Sequence, residues 1–191
     1  MMALGRFPPM SVAAVWAFAL VPALASAQDA PEEWLGRLQR VVPAADEFAD
    51  RRGEPPVFEA YQIDAPTGQR TLIGYAFLTS DLPPEQKGFS GPIEVLVGMD
   101  LRGVLTGAVV TAYYESHRAT RGDFLAAPGV LEQFTGKSIA DAFRVRRDVD
   151  GISGATITVD AMSRGIRNAA REVAVAYRIG VLGSAAEAPG L

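Results

Sequence analysis

Two apolar runs joined by a tight turn sequence constrain this chain more than any other feature. PIEVLVGMD at 92–100 and VLTGAVVTAYYES at 104–116 are rich in valine, with Asp100, Leu101, Arg102 and Gly103 between them. A parallel pairing would need a crossover of about a dozen residues or more, which this spacing denies. The pattern therefore predicts an antiparallel hairpin over 93–113. Two further extended segments, VFEAYQID at 57–64 and QRTLIGYAFLTSD at 69–81, precede it and make this part of the chain sheet-rich. LPPEQKGFSG at 82–91 carries two prolines and two glycines and reads as a surface loop stiffer than a Gly/Ser linker.

Helical signals flank the strands. Residues 31–50 place Trp34, Leu35, Leu38 and Val42 on one face, predicting a short helix interrupted near Pro43 and a second helical turn containing Phe48. LEQFTGKSIADAF at 131–143 predicts one or two short helical turns. The last regular element is expected to begin just after GISGATIT and to run over 160–180, with Met162, Ile166, Ala169, Val173 and Tyr177 as its core face and Gly165 as its weak point. At 191 residues, with no internal repeat, the chain suits one ordinary domain. The fold class implied is α+β: a single domain with a twisted antiparallel sheet flanked by helices.

The first residues stand apart. Arg6, an apolar run over 10–24 and the small residues Ala25, Ser26 and Ala27 read as a secretory signal peptide over 1–27. An uncleaved membrane anchor is the competing reading, weakened by Pro8, Pro9 and Pro22 and by a run short of about 20 residues. Either implies export, so the expected location is the periplasm. The remaining chain divides into an N-terminal helical segment over 28–56, the main domain over 57–179 and a flexible tail over 180–191.

Composition then removes chemistry. The chain has no cysteine and a single histidine, His117, which excludes disulfides, thiol nucleophiles, cysteine-ligated clusters and multi-histidine metal sites. Its net charge of −4 weighs against nonspecific nucleic-acid binding, which depends on clustered Lys and Arg. No metal ligand set and no catalytic residue is assigned.

The most informative stretch is DGISGATIT at 150–158, small residues placed before the last helix. Such a loop allows close backbone approach to an anion, and the helix start offers amide donors in the same place. Ser153, Thr156 and Thr158 add hydroxyls. An ordinary turn and helix cap, with Asp160 as the capping residue, explains the same residues. The lysine of a nucleotide phosphate loop is missing.

At these residues the chain resembles the FMN-binding domain family of flavinylated bacterial respiratory proteins, through the pattern D-x-x-[ST]-G-A-T at 150–156 followed by Thr158. The likeness extends through GFSGPIEVLVGMDLRGVLTGAVVTAYYES and GKSIADAF, covers about 57–178, and is nearest to the periplasmic flavin domain of the NosR-type regulator of nitrous oxide reduction. It implies that a separate flavin transferase, using FAD, joins FMN through its phosphate to the hydroxyl of Thr156. Asp150, Ser153, Gly154 and Ala155 would then form the recognised loop, Thr158 would lie near the phosphate, and Ser90 and Gly91 would be secondary flavin contacts. No His–acid pair is evident to activate the hydroxyl, which favours an external enzyme over self-modification.

The function implied is electron carriage between a membrane or periplasmic redox partner and an acceptor, the redox chemistry being the flavin's own. Noncovalent binding of FMN or another anion in a regulatory or assembly module is the alternative. Phe89, Tyr113, Tyr114 and Phe124 are candidates to pack near the flavin ring, with ordinary core packing as the competing reading. Arg146 and Arg147 are candidates to balance phosphate charge or to be solvated. Arg164, Arg167 and Arg171 are candidates for a basic docking face. Family relatives often carry a histidine-and-acid stretch ending in proline near His117, from which TAYYESHRAT departs.

Overall fold

The structure is a computed structural model that describes residues 32–114 and 122–180. The expectations for 1–27, for His117 and for the tail beyond residue 180 lie outside the described residues. A first helix, α1 (Glu32–Val41), leads into five strands: β1 (Glu47–Phe48), β2 (Phe58–Ile63), β3 (Arg70–Leu78), β4 (Ile93–Asp100) and β5 (Leu105–Tyr113). Short 3-10 turns follow at Phe124–Ala126 and Glu132–Phe134, and a second helix, α2, spans Thr156–Ala176. The strands form one antiparallel sheet in the order β1-β2-β3-β4-β5, each beside its chain neighbour. This is an α+β fold built as a single domain.

Asp100 explains the hairpin at its centre. Its Oδ1 accepts from the amides of Arg102 at 2.9 Å and Val104 at 2.8 Å, and Gly103 takes φ 80°, where a side chain would be strained. β4 and β5 are consequently paired from Ile93 opposite Tyr113 to Met99 opposite Leu105.

The continuous apolar run of β4 is buried on both sides. Val95, Val97 and Met99 join Phe77 of β3 and the Val159, Met162, Ile166 and Val173 face of α2 in one core. Leu96 points the other way, with Ala76, Leu78 and Phe58, toward Leu38 and Val41 of α1. The molecule is thus helix, sheet and helix in three layers. The helix period read from 162, 166, 169 and 173 is the core face of α2, and Tyr177 closes it at the C-terminal cap, its ring 4.9 Å from that of Tyr75.

Two local expectations are corrected. Phe48 lies in β1, paired with Ala60, because Pro43 ends α1 and frees the following chain to extend the sheet. Residues 145–149, VRRDV, form a turn closed by the bridge between Val145 and Val149. Finally, α2 begins at Thr156 rather than after 158, so both threonines occupy its first turn.

Candidate functional site

The signature loop is held at its entrance by Gln133. The amide of Asp150 donates to Gln133 Oε1 at 2.7 Å, anchoring the loop to the turn at Glu132–Phe134. The next residues fold back on themselves: Ala155 N–H donates to the Ile152 carbonyl at 3.0 Å, and Gly154 takes φ 84°. A left-handed residue at that point turns the chain straight into α2, with Ala155 buried as the helix cap.

Thr156 is the first residue of α2 and is exposed. Its hydroxyl donates to the Ile152 carbonyl at 3.2 Å. No side chain caps this end of the helix, and no acid lies in its first turn. Asp160 does not serve as the cap, because it sits inside the helix and pairs with Arg164. The first amides of a 21-residue helix therefore point into the region of the Thr156 hydroxyl without a capping side chain. That donor set suits a phosphate ester on Thr156, and the absence of a side chain on Gly154 keeps the approach open.

The other predicted residues divide. Ser153 and Asp150 are exposed in the same loop. Thr158 is buried, and a Cβ placed on Gly88 would lie 3.3 Å from its methyl group, so the 86–91 loop packs directly over the first turn of α2. This brings Ser90 and Gly91 to the same end of the molecule as Thr156. Arg164 ties that loop down, its Nε donating to Gln86 Oε1 at 3.2 Å.

Among the aromatics, Phe89 and Tyr114 are exposed, and Tyr114 packs against Gly91. Tyr113 packs against the core that α2 joins and donates to the Asp123 carboxylate. It lines a cleft of about 470 Å³ between β5 and residues 123–132, whose walls do not include Thr156. Phe124 is half-buried in a 3-10 turn. The basic face expected on α2 is largely committed: Arg164 pairs with Asp160, and Arg171 donates to the carbonyls of Ile139 and Asp141, both at 2.8 Å.

Residues 88–171 match the family model of the FMN-binding domain. This segment is an FMN-binding domain, and FMN is its cofactor. It begins at Gly88, in the loop over Thr158, and ends at Arg171, after the core face of α2 has begun. Curated relatives agree. A subunit of the ion-translocating oxidoreductase complex of Escherichia coli (strain K12) is 31% identical over 125 residues, 62% of this chain and 56% of that protein. Its namesake from Vibrio vulnificus (strain YJ016) is 29% identical over 123 residues, 61% of this chain and 55% of that protein. A subunit of the Na(+)-translocating ferredoxin:NAD(+) oxidoreductase complex of Acetobacterium woodii is 29% identical over 136 residues, 65% of this chain and 62% of that protein. The chain spans little more than half the length of the relatives it matches.

Two residues that sequence reading passed over hold the site together. Gln133 lies 17 positions before Asp150 in a segment read only as helical turns, and Gln86 lies 78 positions before Arg164. No local pattern marks either, because each acts through a contact made only by the fold.

Proposed function

We propose that this is an exported electron carrier in which FMN is joined through its phosphate to Thr156. The observation that carries the reading is the exposed Thr156 hydroxyl at the uncapped start of α2, inside the D-x-x-S-G-A-T loop. The attachment converts the pyrophosphate anhydride of FAD into a phosphodiester on Thr156. The Thr156 oxygen attacks the FMN-side phosphorus, the pyrophosphate bond breaks, AMP leaves, and the hydroxyl proton passes to a base of the flavin transferase. Among the described residues no base is seen bonded to the Thr156 hydroxyl, which supports activation by the transferase.

Once bound, the flavin supplies two-electron or one-electron transfer. The chain's own residues do the rest: the α2 amides face the phosphate ester, Gly154 clears the approach, and the 86–91 loop fixes what lies beside Thr158. The relatives belong to oxidoreductase complexes, which supports a redox partner at a membrane as the source or destination of electrons. The periplasm is the compartment proposed, on the strength of the apolar leader at 1–27.

Intact and fragment mass spectrometry of the chain from its exported compartment tests the proposal. An FMN-sized adduct on Thr156 is the expected result. A complete lack of adduct in protein co-expressed with a competent transferase would overturn covalent attachment, and release of stoichiometric free FMN on denaturation would establish noncovalent binding instead.

A further inference from the structure

The turn that precedes the signature loop carries three arginines in four positions, Arg144, Arg146 and Arg147. All three are exposed, and none has an ion pair among the described residues. They differ in this from Arg164 and Arg171, whose guanidinium groups are committed to neighbours. The concentration is unusual for a chain of net charge −4.

The turn is rigidly built. The Asp148 carboxylate accepts the amides of Phe143 at 2.9 Å and Arg144 at 2.7 Å, and Lys137 pairs with the same carboxylate at 3.4 Å. Asp148 is therefore already compensated and does not cancel the arginines. Asp150 is the remaining acid in the stretch, which leaves the turn net positive.

Position makes the charge relevant. A Cβ placed on Gly151 would lie 2.9 Å from Val145 Cγ1 and 4.0 Å from Thr156 Oγ1. One glycine thus separates the arginine turn from the acceptor hydroxyl. On the other side of Thr156, Ile157 is 61% exposed, and Phe89, in the loop packed over Thr158, is 63% exposed. Arginine and exposed aromatic side chains are residue types enriched at protein-docking centres.

We infer that Arg144, Arg146 and Arg147 form a docking surface for an acidic redox protein, which this turn steers to the flavin end of the molecule. The inference rests on flavin attachment at Thr156. The transfer it serves is of single electrons: two molecules of a one-electron donor are oxidised for each flavin fully reduced, and the protons come from water. A positive patch beside the redox group raises the encounter rate with an acidic donor, and salt removes the advantage.

The test uses the full chain after mass spectrometry has confirmed equal FMN loading. A reduced acidic ferredoxin serves as the protein donor, and photoreduced 5-deazaflavin as a small neutral one. Arg146→Glu/Arg147→Glu is compared with Arg37→Glu/Arg40→Glu, which changes net charge equally on α1, across the sheet. At about 10 mM salt, where the screening length is about 30 Å, the first variant is expected to slow reduction by ferredoxin about tenfold or more. The α1 variant should change it far less, the difference should collapse near 1 M salt, and the 5-deazaflavin rate should be unchanged. Equal slowing by both variants, no slowing, or equal loss with 5-deazaflavin would overturn the inference. So would arginine-dependent flotation on phosphatidylglycerol vesicles without an effect on ferredoxin, which would assign the turn to a lipid surface. A loaded protein insensitive to these changes refutes docking alone, whereas an unloaded wild-type chain refutes the attachment on which docking rests.

Discussion

Thr156 is held by one hydrogen bond, from its hydroxyl to the Ile152 carbonyl, and its side chain is otherwise open to solvent. The residue therefore contributes little to the fold while carrying the proposed attachment chemistry. Thr156→Ala is expected to change unfolding free energy by no more than about 1 kcal/mol, since a single exposed hydrogen bond is lost. The same change should abolish the FMN adduct, and Thr156→Ser, which retains the hydroxyl, should restore at least part of it. Urea unfolding and intact mass, measured on the same samples, separate the two effects. Gly154 behaves differently, because its φ of 84° lies where an L-residue costs roughly 1–2 kcal/mol. Gly154→Ala should lower stability by about that amount and reduce flavin loading, since the backbone that presents Thr156 can no longer turn without strain.

At the scale of elements, the hairpin and the core face of α2 were legible in the sequence because each rests on local periodicity: alternating and valine-rich runs about the Asp100 turn, and the recurrence of Met162, Ile166, Ala169 and Val173. The start of α2 was not. Threonine and glycine around 154–158 have weak helix propensity, and nothing local announces that the helix begins at Thr156 without a capping side chain. The seat of α1 was equally hidden. Gly98 and Gly107 face one another across β4 and β5, and a Cβ on Gly107 would lie 2.8 Å from Val41 Cα. A Cβ on Gly98 would run into the Val41 carbonyl. These glycines are spaces for a helix backbone, a role that appears only once the two strands are paired. Gly98→Ala is expected to cost about 1–3 kcal/mol by forcing α1 off the sheet, read as an earlier urea midpoint at an unchanged slope. The uncapped end of α2 makes a separate prediction. A phosphodiester on Thr156 places one negative charge beside the free amides and should stabilise the flavinylated chain by about 0.3–1 kcal/mol over the same chain made without the transferase. Urea unfolding at low and at about 1 M salt should show that gain and then its loss, as expected for a screened interaction with a helix dipole.

Across the whole molecule, two distant segments depend on carboxylates held in their charged form. Burial pushes the Asp148 carboxyl up, but the amides of Arg144 and Phe143 and the charge of Lys137 outweigh it and hold it below the ordinary carboxylate range. Glu59 follows the same pattern: burial acts to raise it, while hydrogen bonds from the Tyr61 hydroxyl and Arg52, both at 2.6 Å, bring it below its usual value. One of these groups fastens the turn before the signature loop and the other ties β2 to the chain at Arg52, so protonation loosens both ends of the fold. A carboxylate with a lowered folded value contributes its stability above the unfolded value, near pH 4, and loses it as the pH falls through the folded one. Acid unfolding should therefore steepen below about pH 4 and release the Asp148 turn. Asp148→Asn should lower stability at neutral pH by about 1–3 kcal/mol, because Asn keeps one acceptor and loses the charge that faces Lys137. It should also flatten the acid limb, so that the variant and wild-type stability curves converge as the pH drops below 4. Parallel curves across that range, measured by urea unfolding at successive pH values, would show that the Asp148 charge does not hold this turn.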